Sequence, residues 1–439
     1  MRARLVGVAA IAISALVLGA CSSPEVVTSE VAENESSEAT TPSVVTATTL
    51  SILSNVNAGT PAGDVLDAVI ATFEANTGAT VELVQVGEDI PIIYETSVAG
   101  GNQADIIMVN LTSNTKPWTE QGLTVPVNDF INDWNLKDSI LPAAMEIWTD
   151  SEGRIQGFPY SGFVWPVWYN MEILNSVGVD APPRTILELL YVAGELRKAG
   201  IDPIVIGGND WSGQKLFLQV IQSYMSTEDA VNVFSTGGYC ASSDAMKGIN
   251  LFVQLRDGGV FIDDAEGYTA AQMNATFFEG KAAMMSAGSW AVGASPEGLR
   301  AKVVLGGFPL PNGTKFSKPT AYQGYTGGGF FVSQNGAAEE KLPLVEEFVS
   351  LWYNAEVASS WATATNAPNA FLGESSLGSV TNTLTKQIVG GFNDRVDFAV
   401  MPDPLLPGGM APEMIRQTSL AYAPGVGSTA ICEALDGLY

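Results

Sequence analysis

The chain has 439 residues, 46% of them hydrophobic, enough for two domains with sizeable cores. Its 20 Lys and Arg against 47 Asp and Glu give a formal net charge of -27, which repels nucleic acid and anionic lipid and sets DNA, RNA and polybasic membrane roles aside. The absence of histidine removes imidazole metal sites, Ser-His-Asp and Cys-His nucleophile systems and any histidine base, so no metal site, cofactor or catalytic residue is predicted.

At the amino terminus Arg2 and Arg4 precede an apolar run from Leu5 to Leu18, too short to span a bilayer comfortably, which reads as a secretory signal. The run ends in Leu18-Gly19-Ala20-Cys21, which resembles the lipobox of bacterial lipoproteins. Cys21 would then be lipidated and become the first mature residue, with residues 1–20 removed. An ordinary signal peptide cut near Ala20 is the alternative. Residues 21–47 are rich in Ser, Thr, Glu and Ala and cannot bury enough surface to fold, so they read as a flexible tether. The expected location is the cell membrane, lipid-anchored on the extracytoplasmic face. An oxidising compartment permits a disulfide between Cys240 and Cys432, with two unpaired thiols as the other possibility.

Strands and helices alternate from there on. A strand is predicted at Thr48 to Leu53. Pro61 opens a helix with an apolar stripe at Leu66, Val69, Ile70 and Phe73, and Gly78 closes it. A β-rich stretch at 80–86, a helix at about 92–99 and a continuous apolar strand at 105–109 complete a βαβαβ order, which implies a parallel sheet. Ligands of such sheets bind at the carboxyl ends of the strands, here the residues after Leu53 and Val109. Asp105, at the entry of a buried strand, is expected to cap neighbouring backbone. Thr185 and Glu188 have capping-box spacing and start a helix to about Lys198. A strand at 203–206 and helices around 214–224, 243–256, 268–279 and 339–353 follow, giving a second α/β unit. Gly280-Lys281 is not a phosphate loop, because Ala275 stands where the leading glycine would be and Ala282 replaces Ser or Thr.

Several segments, in order, resemble the family 1 extracellular solute-binding proteins of ATP-driven (ABC) importers, the maltose-binding type. Phe73-Glu74-Ala75-Asn76-Thr77-Gly78 is similar to the family's FExxTG signature, and Gly101 to Ile107 to its GxxxDII strand entry. Gly157-Phe158-Pro159-Tyr160 with Trp168-Tyr169-Asn170 resembles the segment where the chain first crosses between lobes, and Pro182-Pro183-Arg184-Thr185 the PPKT helix entry, with Ile186 where tryptophan is usual. Phe278-Glu279-Gly280-Lys281-Ala282-Ala283-Met284-Met285 with Gly288-Ser289-Trp290, and Phe308-Pro309-Leu310-Pro311 with Gly327-Gly328-Gly329, continue the pattern, which thins beyond Trp361.

The resemblance implies an α/β, two-lobe periplasmic-binding-protein-like fold with discontinuous lobes, a hinge and an inter-lobe cleft. The expected lobes are residues 48–160 with about 325–373, and 161–324 with about 374–439, with crossings near 159–163 and 321–327. It also implies a monomer without catalytic activity that binds a small polar solute, a mono- or oligosaccharide first, and delivers it to the transmembrane permease subunits of an ABC importer. A polyamine, peptide or metal complex is the alternative ligand, and a secreted glycoside hydrolase the remote one.

A sugar needs flat aromatic surface and planar polar groups. Trp290 leads the candidates, because the matching position in the maltose-binding type stacks on a sugar ring. Trp211 is placed in a loop that family members often point into the cleft, and Phe163 and Trp165 lie at the first crossing. Asn55, Asn57 and Asn110 follow strands, and their amides both donate and accept. Glu88 and Asp89 are weaker candidates. Tyr325, Gly327 and Gly328 lie at the return crossing, where absent side chains let backbone approach a ligand.

Overall fold

The computed structural model describes residues 48–372, 380–389 and 391–439, with Glu88 and Val389 by backbone only. The signal, Cys21 and the tether lie outside the described residues. Eleven strands are labelled in chain order among the described residues: β1 Thr49–Ser54, β2 Thr80–Gln85, β3 Ile106–Val109, β4 Thr124–Val125, β5 Phe158–Trp165, β6 Val167–Asn170, β7 Asp202–Val205, β8 Ala282–Ser286, β9 Val303–Gly306, β10 Thr320–Ser333 and β11 Asp397–Phe398.

They form two sheets. The first runs β11-β10-β3-β1-β2, with β4 and β5 also paired to β10; the second runs β7-β8-β6-β9. The predicted βαβαβ unit is present: β1 pairs in parallel with β2 and β3 on its two sides, Ile52 opposite Leu83 and Ile106. Between β1 and β2 lies the helix Pro61–Thr77, capped by Thr60, whose hydroxyl accepts from the Gly63 N–H. It is closed by Gly78 at φ 72°, a conformation that glycine reaches without a Cβ clash.

The sheets carry separate cores, each gathered from distant stretches. One core joins Leu50, Phe73 and Tyr160 to Phe330, Phe348 and Trp361. The other joins Val164 to Phe308 with Leu384, Met414, Tyr422 and Leu435. Between them runs an antiparallel ribbon in which β5 lies along β10, from Phe158 opposite Phe330 at one end to Trp165 opposite Tyr322 at the other. A third stretch joins it: Gly162 N–H donates to Pro368 O at 2.7 Å, and Ala370 N–H to Tyr160 O at 3.0 Å. A Cβ on Gly162 would sit 2.9 Å from Gly324 O and 3.0 Å from Pro368 O, so this close three-chain approach requires glycine.

Several boundaries shift. The helix expected around 214–224 is Trp211–Ile221, because Asp210 caps it by accepting from Ser212 N–H at 2.9 Å and Ser212 Oγ at 2.7 Å; a single 3-10 turn covers Gln222–Tyr224. The helix expected at 268–279 is Ala270–Phe278 behind a Thr269/Gln272 capping box, and that at 339–353 is Leu342–Trp352 with proline in its first turn. The return crossing lies inside the fourteen-residue β10, with a register shift between Gly324 and Gly328.

Asp105 is buried and structural: its Oδ2 accepts from Ser51 N–H at 2.8 Å and Ser51 Oγ at 2.9 Å and meets Lys341 Nζ at 3.0 Å. Elsewhere Cys240 and Cys432 form a disulfide with Cα atoms 5.1 Å apart. Beside it the Asp436 carboxylate accepts from the N–H groups of Gly238, Tyr239 and Cys240. The bridge closes a span of 192 residues, long enough that its loss from the unfolded-state constraint is worth about 2–4 kcal/mol. The double change Cys240→Ser/Cys432→Ser should therefore lower the melting temperature by several degrees while Asp436 keeps the last helix, Ser428–Asp436, in place. A melting curve that superposes on the wild type would show that the bridge contributes nothing.

Candidate functional site

A cleft of about 630 Å³ lies beside the β5/β10 ribbon. Its volume is within the range of pockets that hold small ligands. Both core regions contribute: Asn55, Asn57 and Asn110 come from the β1 and β3 ends, and Trp211 and Trp290 from the ends of segments following β7 and β8.

Four of the sequence candidates converge as an aromatic corner. The Trp290 ring centroid is 5.2 Å from that of Trp165 at an interplanar angle of 88°, 6.2 Å from Phe163 and 5.8 Å from Trp211. Trp165 and Trp211 meet edge-on at 5.4 Å. Exposure separates their roles. Phe163 and Trp165 are buried at 5% and 2%, whereas Trp211 and Trp290 are 38% and 44% exposed. The inner pair holds the outer pair, and the outer pair offers apolar surface to the cleft.

Local sequence fixes this arrangement. After β8, Ser289 N–H donates to Val164 O at 2.9 Å, tying the Gly288-Ser289-Trp290 turn to β5. The Trp290 ring lies over Gly288, where a Cβ would be 2.2 Å from its Cη2. Trp165 is locked by its indole N–H, which donates to Ser286 Oγ at 3.1 Å. Trp211 is the first residue of its helix and not part of a loop as the sequence suggests, so Asp210 capping sets its position.

Opposite the aromatic corner, Asn55 Nδ2 donates to Asn110 Oδ1 at 3.2 Å. That bond orients both amides and leaves Asn55 Oδ1 and Asn110 Nδ2 without a protein partner among the described residues. Asn57 is exposed on the same rim. Gly327 lines the cleft, but Tyr325 and Gly328 do not. The Tyr325 carbonyl accepts from Trp148 Nε1 at 2.7 Å, and partial burial pushes its phenol pKa up. A Cβ on Gly328 would lie 2.8 Å from the Tyr160 ring, so this glycine serves packing. Glu88 and Asp89 sit in the turn Gly87–Asp89; Asp89 does not line the described cleft, and the Glu88 side chain lies outside the described residues.

Other residues line the cleft besides the candidates named from sequence. Tyr160 and Trp361 form an aromatic floor, ring centroids 5.2 Å apart, and burial raises the Tyr160 phenol pKa. Lys215 and Asp403 supply the charged groups among the described lining residues, and they are paired with each other. Lys215 had a local signal, since it lies four residues after Trp211 and so on the same helical face. Asp403 had none, because it reaches the cleft from a segment with no motif.

Two lobes joined by crossing chains, with a ligand-sized aromatic and amide-lined cleft beside the crossing, define a solute-binding protein of the hinged, two-lobe class. The chain belongs to the bacterial extracellular solute-binding protein family, whose sequence profile matches residues 57–359. It is 35% identical to a probable secreted solute-binding lipoprotein from Streptomyces coelicolor, over 89% of this chain and 98% of that one, with a TM-score of 0.80. A chitin oligosaccharide binding protein shares the fold at 20% identity, covering 89% and 97% of the two chains, with a TM-score of 0.74. A probable sugar-binding periplasmic protein of Rhizobium meliloti is 26% identical over 48% of this chain. That match spans 53% of the relative's length, and matches to other curated relatives span 34% to 54% of theirs.

Gly288→Ala tests how the corner is built. The nearest atoms to the added methyl all belong to the half-exposed Trp290 ring, which can swing toward solvent, so the fold should survive with a melting temperature within about 2 °C of wild type. The ring must leave its place, and tryptophan emission should shift to the red. An unchanged emission spectrum would show that Trp290 does not rest on Gly288.

Proposed function

We propose that this protein captures a neutral mono- or oligosaccharide outside the cytoplasm and delivers it to the permease subunits of an ABC importer. The observation that carries the reading is the cleft lining: two half-exposed tryptophans face amides, and its described charges cancel in one ion pair. Trp290 and Trp211 are proposed to stack on the apolar faces of sugar rings, with Phe163 and Trp165 behind them. Asn55, Asn57 and Asn110 would exchange hydrogen bonds with hydroxyls, and Gly327 would admit ligand close to backbone. Sugar-binding relatives and the chitin oligosaccharide binding fold neighbour support this choice.

The cleft gives less support to the alternatives. A polyamine needs unpaired carboxylates, and the one described carboxylate on the lining, Asp403, is tied to Lys215. Glycoside hydrolysis requires two carboxylates flanking the bond, separated by about 5–9.5 Å. The family is one of binding proteins.

In this reading the protein acts as a monomer anchored through lipid on Cys21, with residues 21–47 as tether, and the Streptomyces lipoprotein supports the anchor. The lobes would divide as 48–160 with about 325–373, and 161–324 with about 374–439; the separate make-up of the two cores supports this division. Ligand would shift the hinge toward a closed form by its extra affinity for that form.

A thermal-shift screen of the purified protein against sugars, oligosaccharides, polyamines and peptides tests the proposal. A sugar at 100 times its dissociation constant should add about 2.7 kcal/mol of stability. Trp290→Ala should weaken that sugar's binding by more than about 1 kcal/mol with the fold intact. Stabilisation by polyamines or peptides alone would sink the sugar assignment.

A further inference from the structure

We infer that Lys215 and Asp403 form a paired donor and acceptor subsite that reads two adjacent hydroxyls of the bound sugar, so that this pair sets which sugar the cleft accepts. The inference rests on the sugar reading above.

Lys215 lies one helical turn beyond Trp211 on the helix Trp211–Ile221, and only 4% of its side chain is exposed. Its ammonium donates to Gln214 Oε1 at 3.0 Å and to Asp403 Oδ1. An ammonium has three N–H donors, so one remains. Asp403 Oδ1 is occupied by Lys215, and Oδ2 has no protein partner among the described residues; 28% of the side chain is exposed. Both residues line the cleft beside Trp211 and Trp290. The wall therefore offers a charged donor next to a charged acceptor, the complement of a diol in which one oxygen accepts and its neighbour donates.

A buried ion pair is a poor stabiliser, because desolvation offsets the attraction and apolar residues of similar size do as well. Nor is the pair needed to anchor the segment that carries Asp403. That segment is already held by Val400 N–H on Gln222 Oε1 at 2.8 Å, Gln222 Nε2 on Val400 O at 3.1 Å, and Ala399 N–H on Ala321 O at 2.9 Å. Lys116 Nζ also donates to Pro404 O, bracing the residue after Asp403. These bonds fix Asp403 in place, so its remaining oxygen is a positioned acceptor. A positioned, charge-assisted pair discriminates strongly, since an analogue lacking either hydroxyl leaves a charged group unmatched. The tryptophans, by contrast, offer stacking that most pyranoses satisfy.

The test is tryptophan-fluorescence titration of the purified wild type, Asp403→Asn, Lys215→Met and Trp290→Ala with glucose, galactose, mannose, xylose, maltose, cellobiose and diacetylchitobiose, with melting curves for each protein. Asp403→Asn and Lys215→Met should each weaken the best wild-type sugar by about tenfold or more and change the rank order among epimers. Trp290→Ala should weaken all sugars by similar factors and keep the order. Wild-type order and affinities within about threefold in both pair variants would overturn the inference while leaving the sugar reading intact. A wild type that responds to no sugar would overturn both. Should the pair variants fail to fold, wild type is titrated with monodeoxy forms of its best sugar: losses confined to two adjacent positions support the pair, and equal tolerance at every position overturns it.

Discussion

The backbone pairing of β5 with β10 is the constraint on which the rest of the molecule depends. The ribbon belongs to neither core alone: Phe158 and Phe330 pack with the first, while Val164 and Ala321 pack with the second. The same strand also delivers the cleft's floor and its inner aromatics, because Tyr160, Ser161, Gly162, Phe163 and Trp165 are all β5 residues lining the pocket. Glycine is what permits this double use. At Gly162 and Gly329 a side chain would collide with backbone or with Trp148, so the chains can approach closely there. The hydrogen-bonded crossing joins two separately packed cores, the arrangement in which a hinge would bend the ribbon and leave each core intact.

From that ribbon the site follows in layers. Trp165 is fixed by Ser286, and Trp290 and Trp211 lean on Trp165, so the exposed stacking surfaces are positioned by buried ones. Such preorganisation lowers the ordering cost of binding, since the rotamers of the outer tryptophans are already restricted before a ligand arrives. On the facing rim the Asn55–Asn110 bond does the same for two amides, leaving one acceptor and one donor with fixed directions.

Much of this was legible from local sequence. Strand and helix order through residue 109, the Thr185 cap and the βαβαβ unit follow from short-range rules, and three members of the aromatic corner, Phe163, Trp165 and Trp290, lie in or beside the motifs at 157–170 and 288–290. What failed were features set at long range. Local sequence suggests a loop at Trp211, whereas its helix begins on an Asp210 cap that also receives the Ala270 N–H from a segment sixty residues away. Tyr325 and Gly328 sit at the crossing as expected but serve packing, since the register shift in β10 decides which residues meet the cleft. Asp403 was invisible, because nothing near it in the chain indicates that its segment returns to Lys215.

The distribution of charge completes the argument about selectivity. A formal charge of -27 makes the surroundings of the protein unfavourable for anions at long range. Cations are drawn toward such a surface, yet the described cleft lining gives them no unpaired carboxylate, because the single acid there is already matched by a buried ammonium. Entry of either kind of ion would require stripping its hydration against a lining whose described charges sum to zero, a cost that stacking alone cannot offset. Under the proposed function a neutral polyhydroxylated ring meets neither obstacle: its hydroxyls would exchange water for amides and for the ion pair, and its C–H faces would cover indole. On that proposal global acidity and local neutrality would act as successive filters, the second depending on keeping Lys215 and Asp403 together.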